Sequence, residues 1–430
     1  MKIAFVNDLH LNDRTYKGVM DRERPDLPFR NADFMRAFEY ICTECINKIK
    51  PDLMIIGGDV YDYYEVTNEV EGFFSAQMAR LVEANIPIII LLGNHDVCKK
   101  HHALKGLHEL RLKKIKVIEN PAVIKFKDIN LLLFPYSLTI ERQEVTTKQE
   151  FETFLETIGE KKLTGSSIFI GHLGVRGAKL STYDLKTALY SKDPEVVTDT
   201  TTTMRPIVTK EQKAFINNNP NDVSVEDLDQ IGAKHVVLGD YHQHQILATE
   251  NCYSMYTGSI ERTDFSEVDQ DKGFIVYDSE EKEIEGMGRC RFIKYPNCRP
   301  MLELKGNIFS MQEQFSAINT ADYQDAVVKL HFEGTSEELV DFSSHLEKFK
   351  KQIRHELKPI HLVSEQKVRD EEMEEEASEL QQRILEQGHM SDDDILDMAK
   401  EMINERIKDA QSAKAVIELA EDIHQEAMGS

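Results

Sequence analysis

The chain has 430 residues and a formal net charge of −24, with 52 Lys and Arg against 76 Asp and Glu. No run of about 18 apolar residues occurs, which excludes a helical membrane span, and the global acidity argues against a protein that holds DNA unaided. The charge is uneven: residues 365–430 carry 20 acidic and 7 basic side chains, so local basic patches at 99–106 (KKHHALKG) and 111–116 (RLKKIK) are not forbidden.

MKIAFVNDLH opens as an apolar strand with charge close behind it, unlike a signal peptide. Six scattered Cys without a disulfide framework fit a reducing compartment, so a cytoplasmic protein is expected. KIAFVND, DLMIIGGDVYD, IPIIILLGNHD, INLLLFPY, SIFIGH and HVVLGD read as buried strands, rich in Ile, Val and Leu. Between the first three lie amphipathic helix-like stretches, NADFMRAFEYICTECINKIK and VEGFFSAQMARLVEAN. Cys42 and Cys45 fall in the first of these and read as core residues, because a structural zinc site needs a second pair of ligands. The alternation predicts a partly parallel sheet covered by helices.

Residues 178–220, with a Thr-rich turn, read as a long surface insertion. From 286 onward, RFIKYPNCRPMLELKG, DAVVKLHFEG and HELKPIHLVSE predict a small α+β domain reaching to residue 364. After Glu365 the chain reads as helical, broken at Gly388, with a capping-box variant formed by Ser391 and Asp394. Leu396, Met402, Ile403, Ala415, Leu419 and Ile423 make apolar stripes there, suited to the chain's own core or to a partner's groove.

The strands share a pattern at their ends: Asp8 and His10; Asp59; Asn94, His95 and Asp96; His172; Asp240 and His242. In open α/β sheets ligands bind at the carboxyl ends of strands. Hard divalent cations take carboxylate, carbonyl and imidazole ligands. One carboxylate can bridge two such cations for phosphoester hydrolysis, and Asp59 is the natural bridge. Within VLGDYHQHQ two registers are open. Asp240 with His242 closes the strand directly; His242 with His244 lies two residues farther out, where His244 also reads as an ordinary turn residue.

The series Asp8-Leu9-His10, Gly58-Asp59, Gly93-Asn94-His95-Asp96, Gly171-His172 and Gly239-Asp240-Tyr241-His242 resembles the motifs of the calcineurin-like metallophosphoesterase superfamily. GGDVYD and YSMYTGSIERTDFSE resemble its SbcD nuclease branch, related to the eukaryotic meiotic-recombination double-strand-break nuclease. The resemblance implies an α/β fold, a four-layer α/β/β/α sandwich over residues 1–285, with a small α+β capping domain at 286–364 and a C-terminal helical, ATPase-binding region at 365–430. It implies two Mn²⁺ ions, with Mg²⁺ an alternative. Asp8, His10, Asp59 and His242 would hold one; Asp59, Asn94, His172 and Asp240 the other. Asp240 stands where the family carries a histidine, which hardens the site. His95 would protonate or steer the departing oxygen, with Asp96 fixing its ring.

The implied activity is a DNA exonuclease and endonuclease acting on double-stranded ends, single strands or hairpins. The implied partners are an SbcC-like coiled-coil ABC ATPase, docked by the C-terminal helices, and a second copy, paired through residues 70–112. The implied setting is the cytoplasm, at the nucleoid. A metallophosphatase or small-molecule phosphodiesterase, and a catalytically silent scaffold for the ATPase, are the competing readings.

Overall fold

The computed structural model describes residues 1–12, 18–161, 163, 165–179, 222–334 and 336–368. The chain divides into two units, one made of Met1–Lys305, Phe309–His331 and Glu347–Glu365, the other of Gly306–Ile308, Phe332–Leu346 and Gln366–Ser430. Among the described residues no helix is long and apolar enough to cross a membrane.

In the first unit β1 (Lys2–Val6), β2 (Leu53–Gly57), β3 (Ile88–Leu91) and β4 (Ile115–Ile118) run parallel, each beside the next. β5 (Ala122–Phe126) and β6 (Ile129–Phe134) form an antiparallel pair, and β7 (Ser166–His172) lies parallel to β6. β8 (Val175–Arg176) pairs separately with β9 (Val223–Ser224). β10 (His235–Gly239) runs parallel to β7, followed by β11 (Gln245–Leu247) and β12 (Tyr253–Tyr256), which is parallel to β10. β13 (Gly273–Asp278) returns antiparallel beside β1, with β14 (Cys290–Lys294) on its outer side. Two six-stranded sheets result, ordered β14-β13-β1-β2-β3-β4 and β11-β12-β10-β7-β6-β5.

The strands are apolar throughout because both faces are buried. Ile3, Phe5, Leu53, Ile55 and Leu91 of one sheet share a cluster with Leu131, Leu133, Ile168, Ile170 and Val237 of the other. The alternate residues Ala4, Val6, Met54, Ile56 and Ile90 pack with Phe34, Phe38 and Ile41 of the helix Phe29–Glu44 and with Phe74, Met78 and Leu81 of the helix Asn68–Glu83. On the second sheet Leu132, Phe134, Phe169, Val236 and Leu238 pack with Phe151 and Phe154 of the helix Thr147–Glu160. Cys42 and Cys45 are free thiols fully buried in the first helical layer, as core residues should be.

Two boundaries differ from the sequence reading. β14 completes the first sheet by pairing with β13, so the core's sheet continues past residue 285. Glu365–Val368, expected in a helix, form the end of β17 (His361–Val368). That strand joins β15 (Met301–Gly306) and β16 (Val327–Gly334) in a three-stranded sheet ordered β15-β16-β17. Strand pairing there overrides local helix propensity. The same region carries helices Ile308–Ala317 and Ser336–Leu357. The insertion from residue 180 to 220, and the tail from 369 with its capping box and apolar stripes, lie outside the described residues.

Candidate metal centre

The polar strand ends converge because the backbone there turns through conformations that side chains normally avoid. Asp8, His10, Asp59 and Asp240 have φ of 52°, 41°, 48° and 103°, in or near the left-handed region. Strain of this kind costs about 1–3 kcal/mol per residue and collects at functional sites. Gly58 has φ 104°, and a Cβ there would stand 2.2 Å from His172 Nδ1. At Gly93 a Cβ would stand 2.0 Å from Asp59 Oδ1. The glycines of G-D and G-N-H-D therefore make room for the carboxylate and the imidazole. Leu9 and His10 donate their N–H groups to the Asp59 carbonyl at 2.8 and 3.1 Å, knitting the ends of β1 and β2 together. Asn7 donates to the Leu238 carbonyl at 2.8 Å and accepts from Gly57 N–H at 3.0 Å, tying the two sheets at this edge.

Ligand atoms of Asp8, Asp59 and His172 lie within 4.8 Å of one another, as do those of His10, Asp59 and His95. Asp59 belongs to both groups. Its Oδ1 is 3.4 Å from His172 Nε2 and its Oδ2 is 3.7 Å from His10 Nε2, so one oxygen faces each side. His242 Nε2 lies 2.9 Å from His10 Nε2, Asn94 Oδ1 lies 2.9 Å from His172 Nε2, and Asp240 Oδ1 is 3.9 Å from the same nitrogen. Asp240 also donates its backbone N–H to Asp8 Oδ1 at 3.0 Å.

Three of the rings are held from behind. His10 Nδ1 donates to Asp62 Oδ1 at 3.2 Å, His172 Nδ1 to the Gly57 carbonyl at 2.9 Å, and His242 Nδ1 faces Glu267 Oε1 at 3.2 Å. An Nδ1–H anchored on a carboxylate or carbonyl, with Nε2 turned inward, is the usual support of a metal-ligating histidine. It turns the Nε2 atoms of His10 and His242 towards each other at 2.9 Å, close enough for both to ligate one cation. Asp8 Oδ2 is buried and has no hydrogen-bond partner among the described residues. The donor set of carboxylates, imidazoles and an amide oxygen suits divalent cations.

The electrostatics show how much positive charge this edge wants. Burial pushes the Asp8 carboxyl up to about 6, although His172 and His242 pull the other way. Burial also opposes ionisation of Asp59, yet His172 and His95 hold it well below the usual carboxylate range. For His172 burial resists the charge, but Asp59, Asp240 and Asp8 push its pKa up to about 10. A protonated His172 thus stands in as counter-cation to the buried carboxylates. A divalent cation takes over that role only from a neutral imidazole. His10, lowered to about 4 mainly by burial, is already neutral. His95 rises above its ordinary value because Asp59 and Asp62 outweigh its burial.

All nine expected residues lie at this edge, with three changes in detail. Asp8, expected beside His10, shares a ligand group with His172. Asp96 does not hold the His95 ring. It accepts backbone N–H groups from Gly93, Tyr61 and Val60 at 2.9, 3.0 and 3.3 Å, bracing the turn that carries Asp59. The His95 ring is instead fixed by Nδ1–H donation to the Asp62 carbonyl at 2.8 Å. His244 turns away: its Nδ1 meets the Tyr256 carbonyl at 2.8 Å and its ring stacks on Phe292 with centroids 4.1 Å apart. The supporting residues Asp62, Thr263 and Glu267 lie in the stretches GGDVYD and YSMYTGSIERTDFSE, but their supporting role is not legible there. Glu267 is fully buried, paired with Lys272 at 2.9 Å, and accepts from Thr263 Oγ1 at 2.8 Å.

Residues 1–204 match the calcineurin-like phosphoesterase family model. The SbcD subunit of the nuclease SbcCD from Staphylococcus epidermidis is 27% identical over 265 residues, which are 57% of this chain and 61% of that protein. DNA double-strand break repair protein Mre11 of Sulfurisphaera tokodaii is 32% identical over 123 residues, 28% of this chain and 29% of that protein. The match thus spans about three fifths of the first relative's length and under a third of the second's. Among solved structures, the match to the cold-active protein-tyrosine phosphatase of a Shewanella species covers 65% of this chain and 75% of that one at 12% identity, with a TM-score of 0.26.

Proposed function

We propose that this chain, which carries a calcineurin-like metallophosphoesterase domain, is a Mn²⁺-dependent two-metal DNA exonuclease and endonuclease, the nuclease subunit of an SbcCD-like DNA end-processing complex. The observation that carries the reading is Asp59, which turns one carboxylate oxygen to each of two ligand groups. Asp8, His172, Asn94 and Asp240 surround one position; His10, His242 and His95 surround the other. Divalent cations bound there supply Lewis-acid charge for a scissile phosphate and an activated water.

The chain's own residues do the rest. Asp62, Gly57 and Glu267 fix the ring orientations, and Asp96 holds the Asp59 turn. His95, whose proton affinity Asp59 and Asp62 raise, donates a proton to the departing oxygen. The similarity to the staphylococcal SbcD protein supports DNA as substrate, an SbcC-like coiled-coil ABC ATPase as partner of residues 365–430, pairing of two copies, and a cytoplasmic, nucleoid-associated setting. The three clusters that pack two sheets between helices support the α/β/β/α sandwich, and residues 301–364 the capping domain.

The test is digestion of end-labelled linear and hairpin DNA with Mn²⁺, Mg²⁺ or EDTA, beside hydrolysis of bis-p-nitrophenyl phosphate. Mn²⁺-dependent cutting that Asp240→Asn weakens is the expected result. Hydrolysis of the small ester without DNA cutting would favour a metallophosphatase or small-molecule phosphodiesterase. No hydrolysis even with an SbcC-like ATPase and ATP would leave the scaffold.

A further inference from the structure

A second cluster of ligand-type side chains lies one strand outward on the same carboxyl edge. The connection from β3 to β4 leaves through Asp96, and His102 and His108 lie on it; Glu119 follows directly on the end of β4. His102 Nε2 lies 2.6 Å and His108 Nδ1 3.0 Å from a single oxygen, Glu119 Oε1. Ligand atoms of the three residues all fall within 4.8 Å of one another, with the ring centroids of the two histidines 6.3 Å apart. His102 is buried, whereas His108 and Glu119 are part-exposed, with side chains 39% and 30% accessible.

We propose that His102, His108 and Glu119 form a third metal site, one that takes Zn²⁺. Two imidazoles and one carboxylate suit zinc, and three protein ligands with solvent on one side leave a fourth position for water. Zinc bonds of 2.0–2.1 Å in a tetrahedron separate neighbouring ligand atoms by about 3.3 Å. The two contacts to Glu119 Oε1, at 2.6 and 3.0 Å, need to open by less than about 1 Å to reach that spacing.

The state of the buried ring agrees. Burial outweighs Glu119 and lowers the His102 pKa, so the imidazole is neutral, the form that binds metal. His102 meets Glu119 through Nε2 while its Nδ1 is buried with no hydrogen-bond partner among the described residues, so binding a metal through Nε2 moves the ring proton to Nδ1. The backbone holds the ring in place: Ala103 donates its N–H to the Asp96 carbonyl at 2.8 Å, and Val97 and His102 form an antiparallel bridge. Zinc here would staple the β3–β4 connection to the end of β4. The start of that connection is Asp96, which braces the Asp59 turn. The site is separate from the proposed two-metal centre and its existence does not depend on nuclease activity.

The experiment measures tightly bound zinc by mass spectrometry, after exchange against a weak chelator, in the full chain and in an Asp8→Asn, Asp59→Asn background that weakens the other centre. His108→Ala and Glu119→Gln are each expected to lower bound zinc by one equivalent in both backgrounds. The adjacent His101→Ala should not. Co²⁺ loaded into the Asp8→Asn, Asp59→Asn protein should give the visible absorption of a four-coordinate ion, lost in His108→Ala. Unchanged zinc in both His108→Ala and Glu119→Gln, or equal loss in His101→Ala, would overturn the proposal. His108 is part-exposed, and an unchanged circular dichroism spectrum would confirm that its loss does not act through unfolding.

Discussion

The two edges of the second sheet put buried histidines to opposite uses. At the amino end of β10, His235 lies between Tyr253 and Tyr277, with ring centroids 5.5 and 5.2 Å away. Its Nε2 accepts the Arg289 N–H at 3.1 Å, and burial lowers its pKa to about 4. At the carboxyl end of the adjacent β7, His172 is buried just as fully, yet three carboxylates raise it to about 10. Desolvation opposes the charge on both rings, and only at His172 do the neighbouring carboxylates outweigh it. One edge is a finished core. The other gathers Asp8, Asp59 and Asp240 around one buried imidazole, the arrangement that makes it the candidate metal centre.

The contrast breaks most completely at Asp59. Asp59→Asn should abolish Mn²⁺-dependent phosphodiester hydrolysis, a loss larger than the roughly 100-fold upper range for a supporting residue, while circular dichroism shows a folded chain. At the amino edge the expected effect is on stability and its pH dependence. The His235 pKa of about 4 lies below the ordinary 6.5, so between those values the unfolded chain binds the extra proton. Stability is therefore full above pH 6.5 and falls as the pH drops towards 4, by up to about 3 kcal/mol from this residue. Denaturant melts across that range should show a flatter pH dependence for His235→Asn, with hydrolysis at neutral pH unchanged.

The supporting residues sharpen the picture next. Asp62→Asn and Glu267→Gln should each weaken metal affinity by about 10–100-fold, read by Mn²⁺ titration. The smallest effect on hydrolysis belongs to His244, which lies near the centre in sequence and faces away from it in space. His244→Phe keeps the stack on Phe292 but removes the hydrogen bond to the Tyr256 carbonyl, and should cost about 1–3 kcal/mol of stability, with metal affinity and hydrolysis unaltered. A lost metal there would restore the outer register of the last motif.

Much of the centre is legible in the sequence because each ligand closes an apolar run, and strand burial plus Gly-Asp or Gly-His punctuation is visible residue by residue. Asp62, Thr263 and Glu267 carry no such mark. Their value depends on a fold that brings Glu267, at the end of the short helix Phe265–Glu267, to His242 25 residues earlier in the chain. Asp96 is misleading for a related reason: adjacency to His95 in sequence says nothing about direction, and its carboxylate turns back towards the Asp59 loop. The sequence places β14 with the small domain because its pairing with β13 is a long-range fact, as is the β16 edge that turns Glu365–Val368 into strand.

Two cations sharing Asp59 should be visible by electron paramagnetic resonance of the Mn²⁺-loaded chain. An exchange-coupled pair of Mn²⁺ ions is expected in the native chain, reduced to uncoupled Mn²⁺ by Asp59→Asn. Only isolated, uncoupled Mn²⁺ in the native chain at saturating metal would contradict it.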